Sequence, residues 1–225
     1  MPVHIRNAED FASAFDVSRE TVDRLSLYAD LLRQWQKSIN LVAPSTLDDL
    51  WHRHFADSAQ VMALANDHPG PWLDIGSGGG FPALVVAILS LDPAFAAPPG
   101  APPRRLTLVE SIAKKCAFLS DVARRTGVAQ VVDILSVRVE TLPTRANLAP
   151  PAVISARALA ALDKLLALSA PLFGPSTIGL FLKGQGAETE IAEARKAWEF
   201  EVDLVPSRTE PAGRIVVLRR LAPKS

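Results

Sequence analysis

The chain has 225 residues, 48% of them hydrophobic and 21% charged, which is the composition of a globular protein and excludes a disordered chain. Its 24 basic residues balance 24 acidic ones, which excludes a protein that coats nucleic acid through bulk charge. A single cysteine, Cys116, excludes a disulfide framework and a Cys-rich zinc site, and it favours a reducing compartment such as the cytoplasm.

The first 66 residues are predicted to form a helical appendage. Between Ser18 and Ile39, apolar residues recur at spacings of three and four, which is the pattern of an amphipathic helix. A second helix is predicted from about Leu47 to Ala65, opened by Ser45 or Thr46 as its cap. The N-terminus lacks the apolar run of a signal peptide, and the most apolar stretch, Phe81–Leu91, is well short of the ~18 residues of a membrane span.

From residue 67 onward, the pattern alternates between strands and helices. This alternation predicts an α/β fold of the Rossmann-like type, with a mostly parallel seven-stranded sheet, an antiparallel last strand and helices on both faces. A Pro-rich tract at 92–104 is predicted to be a surface insertion. The predicted strands are 71–76, 106–110, 131–135, 152–155, 177–183, 200–205 and 214–220, and the predicted helices are 81–91, 112–126, 159–172 and 188–198.

A glycine-rich turn lies between the first predicted strand and the helix that follows it. Glycines let such a turn close and let a ligand approach backbone N–H groups. A dinucleotide fingerprint starting at Gly76 would need a third glycine where the chain has Phe81, and no P-loop motif is present. The motif, an acid and one further residue followed by G-x-G-x-G, is similar to the S-adenosylmethionine (SAM) turn of Rossmann-like methyltransferases. It predicts cofactor contacts from Asp74, Gly76, Ser77, Gly78 and Gly80.

Glu110 ends the second predicted strand, where a carboxylate in this fold can accept hydrogen bonds from both ribose hydroxyls. The separation between the turn and Glu110 is longer than the usual ~20 residues, and the Pro-rich insertion accounts for the extra length. The alternative is an acid that serves the dipole of the helix starting at Ile112. Because the glycine turn accompanies it, the cofactor role is favoured.

The chain as a whole resembles the glucose-inhibited division protein B (RsmG) family, the bacterial small-subunit rRNA guanine-N7 methyltransferases. The resemblance covers nearly the full length, and its specificity lies in the ordered combination of motifs; the departure is the insertion at 92–104. The motifs are Asn40-Leu41, Arg53-His54-Phe55-Ala56-Asp57-Ser58, Asp74 to Pro82, Val109-Glu110-Ser111 with Lys114-Lys115, Arg138-Val139-Glu140, Ser155-Ala156-Arg157-Ala158 and Leu182-Lys183-Gly184.

The resemblance implies a SAM-dependent enzyme that methylates one guanine in a 16S rRNA loop near the decoding region. Its substrate is then 16S rRNA or the small ribosomal subunit, and we expect a cytoplasmic monomer. The residues implied to line the SAM site are Gly76, Phe81, Val139, Glu140 and Arg157. Val139 and Glu140 have an ordinary turn as their alternative, and Arg157 has a plain surface salt bridge.

Further candidates come from charge and position. Residues 104–164 hold ten basic and five acidic residues, a surplus that fits either one RNA-binding face or solvated helix surfaces. Arg157 and Lys183 end strands at the ligand-binding edge of the sheet and are candidates for positioning the substrate. The residues considered for RNA phosphate contacts are Lys114, Lys115, Arg124, Arg125, Arg138 and Lys183.

His52 and His54, which lie beside and within the motif Arg53 to Ser58, need a separate interpretation. His54 and Asp57 are spaced for a pair that pins the appendage to the core, and this is at least as well supported as catalysis. His52 and His54 lie roughly 200° apart on a helix, so no metal site is expected.

Guanine N7 has a free lone pair and loses no proton on methylation, so no general base is expected. Two alternatives remain open: a non-catalytic SAM-binding RNA module and a nucleotide-dependent oxidoreductase on the same fold.

Overall fold

In the computed structural model, residues 4–96, 99–102, 104–142 and 150–224 are described. Seven strands within these ranges form one sheet, in the order β3-β2-β1-β4-β5-β7-β6. Strand β7 runs antiparallel to its neighbours β5 and β6, and the other pairings are parallel. This confirms the predicted fold class. The strands are β1 Trp72–Ile75, β2 Leu106–Glu110, β3 Val132–Ser136, β4 Val153–Arg157, β5 Ile178–Lys183, β6 Trp198–Pro206 and β7 Arg214–Pro223.

Helices cover both faces of the sheet. The appendage contains α1 Ala8–Phe15, α2 Arg19–Gln36, a π-helix Trp51–Ala56, α3 Asp57–Ala59 and α4 Val61–Leu64. The helices that follow are α5 Ala83–Leu89, α6 Ala113–Arg125, α7 Leu162–Ser169 and α8 Ala187–Ala194. Short 3-10 turns form at Pro44–Thr46, Pro93–Phe95, Val139–Thr141 and Ala170–Leu172. No helix among the described residues is long and apolar enough to span a membrane.

The alternation of side chains along the strands divides the core into two layers. Trp72 packs in the layer that also holds α2, α5 and α6, whereas Leu73 and Ile75 pack in the layer with α7 and α8. Appendage residues belong to the first of these layers, where the Phe55 ring lies edge-on to the Phe81 ring at 5.5 Å. The segments 1–66 and 67–225 therefore share one hydrophobic layer.

The prediction of one regular helix from Leu47 to Ala65 was wrong. This segment instead runs through the π-helix, α3 and α4. A π turn contains more residues than an α turn, and it shifts which side chains face inward. As a result His52 and His54, expected on different sides, are both buried. The short helix α1 was not predicted; its cap is Asn7, whose side chain accepts a hydrogen bond from the Asp10 amide.

The predicted insertion at 92–104 lies only partly within the described residues. Its start folds into the 3-10 turn Pro93–Phe95, capped by the Asp92 carboxylate. The other boundary shifts are small, except that the last predicted helix ends at Ala194 and Trp198 already begins β6.

Candidate active site

A cavity of about 1150 Å³ opens where β1, β2, β4 and β5 end. One part is lined by the glycine turn after β1 and by the loops after β2 and β3. Another part is lined by the π-helix and by the connection between β6 and β7. The loop Asn40–Ala43 of the appendage also lines it. The carboxyl ends of parallel strands are where open α/β sheets bind ligands.

The glycine turn presents backbone surface to this cavity. Gly76 has φ +70°, and a Cβ there would lie 2.5 Å from Leu159 Cδ1. Gly80 has φ +87°, and a Cβ there would lie 2.6 Å from Tyr28 Oη. Ser77 and Gly78 line the cavity together with Gly76, whereas Gly80 faces the appendage instead. The turn was predicted as one cofactor-binding unit, but Gly80 serves the packing of the appendage.

Four N–H groups of the turn already have partners within the fold. Those of Gly76 and Ser77 donate to the Val109 carbonyl at 2.9 and 3.0 Å. That of Gly78 donates to Glu110 Oε2 at 3.0 Å, and that of Gly80 to the Ser77 carbonyl. The glycines were expected to let a ligand approach backbone N–H groups, but at these four residues the N–H groups are already paired. This is a poor cradle for a pyrophosphate, which needs such donors.

The appendage holds the turn from outside. Tyr28 Oη donates to the Gly79 carbonyl, and the Tyr28 ring stacks on Phe81 with centroids 5.2 Å apart. Gln36 fixes the neighbouring loop, because its Oε1 accepts from the amides of Leu41 and Val42 at 2.9 and 3.1 Å. The loop is close enough that a Cβ on Gly79 would meet the Leu41 carbonyl at 3.1 Å.

Asp74 lies beneath the turn and does not line the cavity. Its Oδ1 accepts from Ser155 Oγ at 2.5 Å, and Ser155 Oγ accepts from Trp72 Nε1 at 2.7 Å. Its Oδ2 has no hydrogen-bond partner among the described residues. Burial raises the pKa of Asp74 to about 7. The structure thus places this predicted cofactor ligand as a support of the turn.

Glu110 lines the cavity at the end of β2. Its Oε2 accepts from the Gly78 amide, and its Oε1 accepts from the Ile112 amide at 2.8 Å. Both roles considered from the sequence are therefore compatible, because one carboxylate serves the start of α6 and also borders the cavity. Val139 and Glu140 lie in the 3-10 turn after β3 and line the same part of the cavity.

Arg157 lies at the end of β4, with 15% of its side chain exposed. Its Nη1 donates to the Arg53 carbonyl at 3.0 Å and to Asp57 Oδ2 at 3.2 Å, and its Nη2 contacts His54 Nδ1 at 2.5 Å. The guanidinium also lies over the Phe81 ring, 4.9 Å from its centroid. This burial and these partners are unlike the plain surface salt bridge considered above.

His54 and Asp57 were considered as a direct pair, but both instead bind Arg157. His54 Nε2 contacts Thr46 Oγ1 at 2.7 Å. Burial and the nearby Arg157 lower the pKa of His54 to about 3. Asp57 Oδ1 accepts from Thr209 Oγ1 at 2.9 Å, which joins the appendage to the β6–β7 connection.

The predicted cationic residues separate into two groups. Lys183 lines the cavity but is 9% exposed, and its Nζ donates to Glu190 Oε2 at 2.8 Å. Lys115 and Arg138 line the cavity as well. The residues outside the cavity lining are Lys114, Arg124 and Arg125, all on α6, and Arg124 pairs with Asp121 on the same helix.

Sequence reasoning missed Tyr28, Gln36 and Thr46 as parts of the site, because their partners are distant in sequence or lie outside regular elements. It also missed the β6–β7 connection, for which no local signal was found. No group of three or more His, Cys, Asp or Glu residues among the described residues is arranged to hold a metal ion.

The strand order, the antiparallel β7 and the glycine turn after β1 define a Rossmann-like methyltransferase fold. Solved structures with this fold include the O-methyltransferase from Bacillus cereus in complex with SAH, with TM-score 0.57 and 13% identity over 86% of this chain and 90% of that one. The O-methyltransferase TomG from Streptomyces achromogenes in complex with SAM has TM-score 0.60 and 16% identity, over 95% of this chain and 96% of that one. Such likenesses show the fold alone.

The family model described as rRNA small subunit methyltransferase G matches residues 21–212, and the chain belongs to this family. Several relatives carry the name Ribosomal RNA small subunit methyltransferase G, and two of them illustrate the similarity. The one from Parvibaculum lavamentivorans is 47% identical over 96% of this chain and 90% of its own length. The one from Rhodospirillum centenum is 46% identical over 100% of this chain and 95% of its own length. The resemblance drawn from the sequence is confirmed.

Proposed function

We propose that this protein transfers the methyl group of SAM to the N7 nitrogen of a guanine in 16S rRNA, in the loop near the decoding region. The proposal is carried by a single observation, a continuous cavity in a chain of this family. One half of that cavity borders the glycine turn and Glu110, and the other lies between the π-helix and the β6–β7 connection. Its volume of about 1150 Å³ exceeds the roughly 300–1,000 Å³ that one small ligand uses.

The residues of the first half fit SAM. Gly76 lines the cavity at a point where a Cβ would collide with Leu159, and Glu110 supplies a carboxylate for ribose hydroxyls. Val139 and Glu140 border the same space. Four N–H groups of the turn are occupied, which disfavours a dinucleotide with its pyrophosphate but not SAM, which has no phosphate. This argues against the oxidoreductase alternative.

The chemistry needs little from the side chains. SAM supplies a methyl group on a positively charged sulfur, and guanine N7 offers a lone pair without losing a proton. Positioning and electrostatics then account for the rate. Both nitrogens of His54 are engaged within the protein. The Cys116 thiol is buried and lies 3.2 Å from the Glu110 carbonyl, so it is not offered as a nucleophile for pyrimidine C5.

The second half of the cavity is proposed to hold the guanine. Arg53 is 45% exposed at its border and pairs with Glu210 across the mouth, between the appendage and the β6–β7 connection. Lys115 and Arg138 border the cavity near Glu110. These cations border both halves of the cavity and are suited to phosphates of the RNA strand, where they would fix position while base contacts select the guanine. We propose a cytoplasmic monomer acting on 16S rRNA or the small subunit.

The test uses ribosomal subunits and free rRNA, in separate reactions, from cells that lack this gene. The purified protein is incubated with methyl-labelled SAM, and 7-methylguanosine is mapped by chemical cleavage. Label at one guanosine of the small-subunit rRNA is the expected result, and a Glu110→Ala variant with weakened SAM binding serves as the matched control. Measured SAM binding with no label on any RNA would select the non-catalytic module instead.

Light scattering of the purified protein tests the monomer. A mass of 24.2 kDa is expected, and twice that mass would contradict it.

A further inference from the structure

A directed chain of hydrogen bonds runs from the appendage to Arg157. It comprises the Ala43 carbonyl, Thr46 Oγ1, the His54 ring and the Arg157 guanidinium, with contacts of 2.7, 2.7 and 2.5 Å. His54 and Arg157 are 103 residues apart in sequence. The proposed function assigns His54 no role, so the chain requires its own explanation.

Every proton in this chain can be assigned from elementary valence. Arg157 can only donate, so His54 Nδ1 must accept and carries no proton. The single hydroxyl proton of Thr46 is donated to the Ala43 carbonyl, so Thr46 Oγ1 accepts from His54. Nε2 of His54 therefore carries the proton. Both ends of the chain require the same neutral tautomer.

The surroundings of His54 keep it neutral. Its ring lies 5.0 Å from the Phe81 ring, and the side chain is buried. The charged groups that face it include the cations Arg157 and Arg53. A second positive charge between them would be opposed by both repulsion and desolvation.

The same contacts determine what Arg157 has left to offer. A guanidinium has five N–H bonds. The Arg53 carbonyl, Asp57 and His54 take three of them, and no described residue accepts from Nε. Two N–H bonds thus remain, the number used in a bidentate contact with one carboxylate. Arg157 lines the cavity, so these bonds are available to an anionic group there.

We propose that His54, fixed by Thr46, is a positioning residue that orients the Arg157 guanidinium toward a carboxylate in the cavity. Without an acceptor at Nδ1, Nη2 is free to turn toward Asp57 and form the bidentate pair that Arg and carboxylate prefer. That rearrangement would withdraw donors from the cavity. The inference rests on the proposed function, in which the amino-acid carboxylate of SAM is the anionic group.

The first test compares two near-isosteric substitutions. His54→Asn keeps an acceptor next to Cγ, whereas His54→Leu has a similar shape and no acceptor. Binding of S-adenosylhomocysteine, which carries the same carboxylate, is measured by calorimetry, with thermal melting in parallel. We expect the Kd to rise about 10- to 100-fold in His54→Leu, the cost of losing a hydrogen bond to a charged group, and less than about fivefold in His54→Asn.

A second pair tests the other end of the chain. Thr46→Val removes the hydroxyl at nearly constant shape, and Thr46→Ser restores it. The Kd should rise in the first variant and return toward the wild-type value in the second. If all four variants weaken binding only in proportion to their loss of melting temperature, His54 and Thr46 have a purely structural role and the proposal is wrong.

A readout without any ligand separates this proposal from the proposed function. Nitrogen-15 spectra of the histidine rings in the full-length protein report the tautomer directly. We expect His54 to stay neutral with Nε2 protonated from pH 8 to pH 5, and the Nε2 signal to shift in Thr46→Val without a change of tautomer, because Arg157 still requires Nδ1 to accept. A proton on Nδ1 in the wild type would overturn the positioning role. Failure of the wild type to bind S-adenosylhomocysteine, with the spectra as expected, would instead contradict the proposed function and this proposal's choice of carboxylate.

Discussion

At the scale of single residues, the buried charged groups near the cavity are paired in different ways. Arg157 and Lys183 have carboxylate partners, Asp57 and Glu190, which offset the cost of removing charge from water. Glu110 has backbone amides. Asp74 differs because its carboxylate accepts from the Ser155 hydroxyl, which in turn accepts from the Trp72 indole, and among the described residues no cation forms a salt bridge with it. This difference makes Asp74 sensitive to pH.

We predict that Asp74→Asn removes a pH dependence of stability. The pKa of Asp74 is about 7 in the folded protein, above the 3.8 of an ordinary aspartate, so folding favours its protonated form. Its contribution to stability is then full below about pH 3.8 and is lost as the pH rises to 7, at about 1.4 kcal/mol per pH unit at most. Urea unfolding at pH 5 and pH 7 should show the Asn variant gaining about 2 kcal/mol relative to the wild type.

Asp133→Asn provides the control, because this carboxylate on β3 is 57% exposed and should show no such trend. A difference between Asp74→Asn and the wild type that stays constant from pH 5 to pH 7 would contradict the prediction.

We predict that Gly76→Ala weakens SAM binding at least tenfold. The new Cβ would meet Leu159 at 2.5 Å in a backbone conformation that Ala disfavours, and the turn must shift to relieve the overlap. Gly127→Ala is the matched control: its φ is +77°, it follows α6, and nothing lies within 4 Å of its Cβ position. It should lose about 1 kcal/mol of stability and keep its SAM affinity. Calorimetry decides, and equal losses of affinity in the two variants would refute the steric argument.

At the scale of elements, helix α2 forms part of the cofactor site through its packing. It contacts α5, which follows the glycine turn in the chain, and α6, which follows β2. From this position it directs Tyr28 at Gly79 and Gln36 at the loop that borders the cavity. The appendage therefore shapes the cofactor half of the cavity as well as the proposed RNA half.

We predict that Tyr28→Phe weakens SAM binding by more than its loss of protein stability would explain. Loss of the hydroxyl leaves the buried Gly79 carbonyl without its donor, which costs roughly 1–3 kcal/mol and loosens the turn. Trp35→Phe is the control on the same helix, because the contacts it changes, from Nε1 to Asp121 and from the ring to Phe118, are both made with α6. Urea unfolding and calorimetry should show a loss of stability in both variants and a loss of affinity in Tyr28→Phe alone. Unchanged affinity in Tyr28→Phe would show that the turn holds without this bond.

At the scale of the whole molecule, sequence patterns located the parallel strands and the glycine turn but not the contacts that join them to the appendage. Strand β2, Leu106–Glu110, was predicted with its observed bounds because a buried strand between helices has a distinctive apolar run. The π-helix was missed because its apolar spacing resembles that of an α-helix. Arg157 was identified as a site residue, but its partners lie about 100 positions earlier, and one sequence carries no signal for such pairing.

The shared hydrophobic layer bears on whether residues 1–66 are a separate domain. Tyr28 and Phe55 of the appendage contact Phe81 and are fully buried against it, so removing the appendage would expose the layer beside the sheet. We therefore predict that the full chain unfolds as one cooperative unit. Native-state hydrogen exchange should give amides in the middle of α2 and in β4 the same opening free energy, and both should fall equally as urea is added. Exchange of α2 through a lower-energy opening, while β4 stays protected, would instead establish the appendage as an independently folding unit.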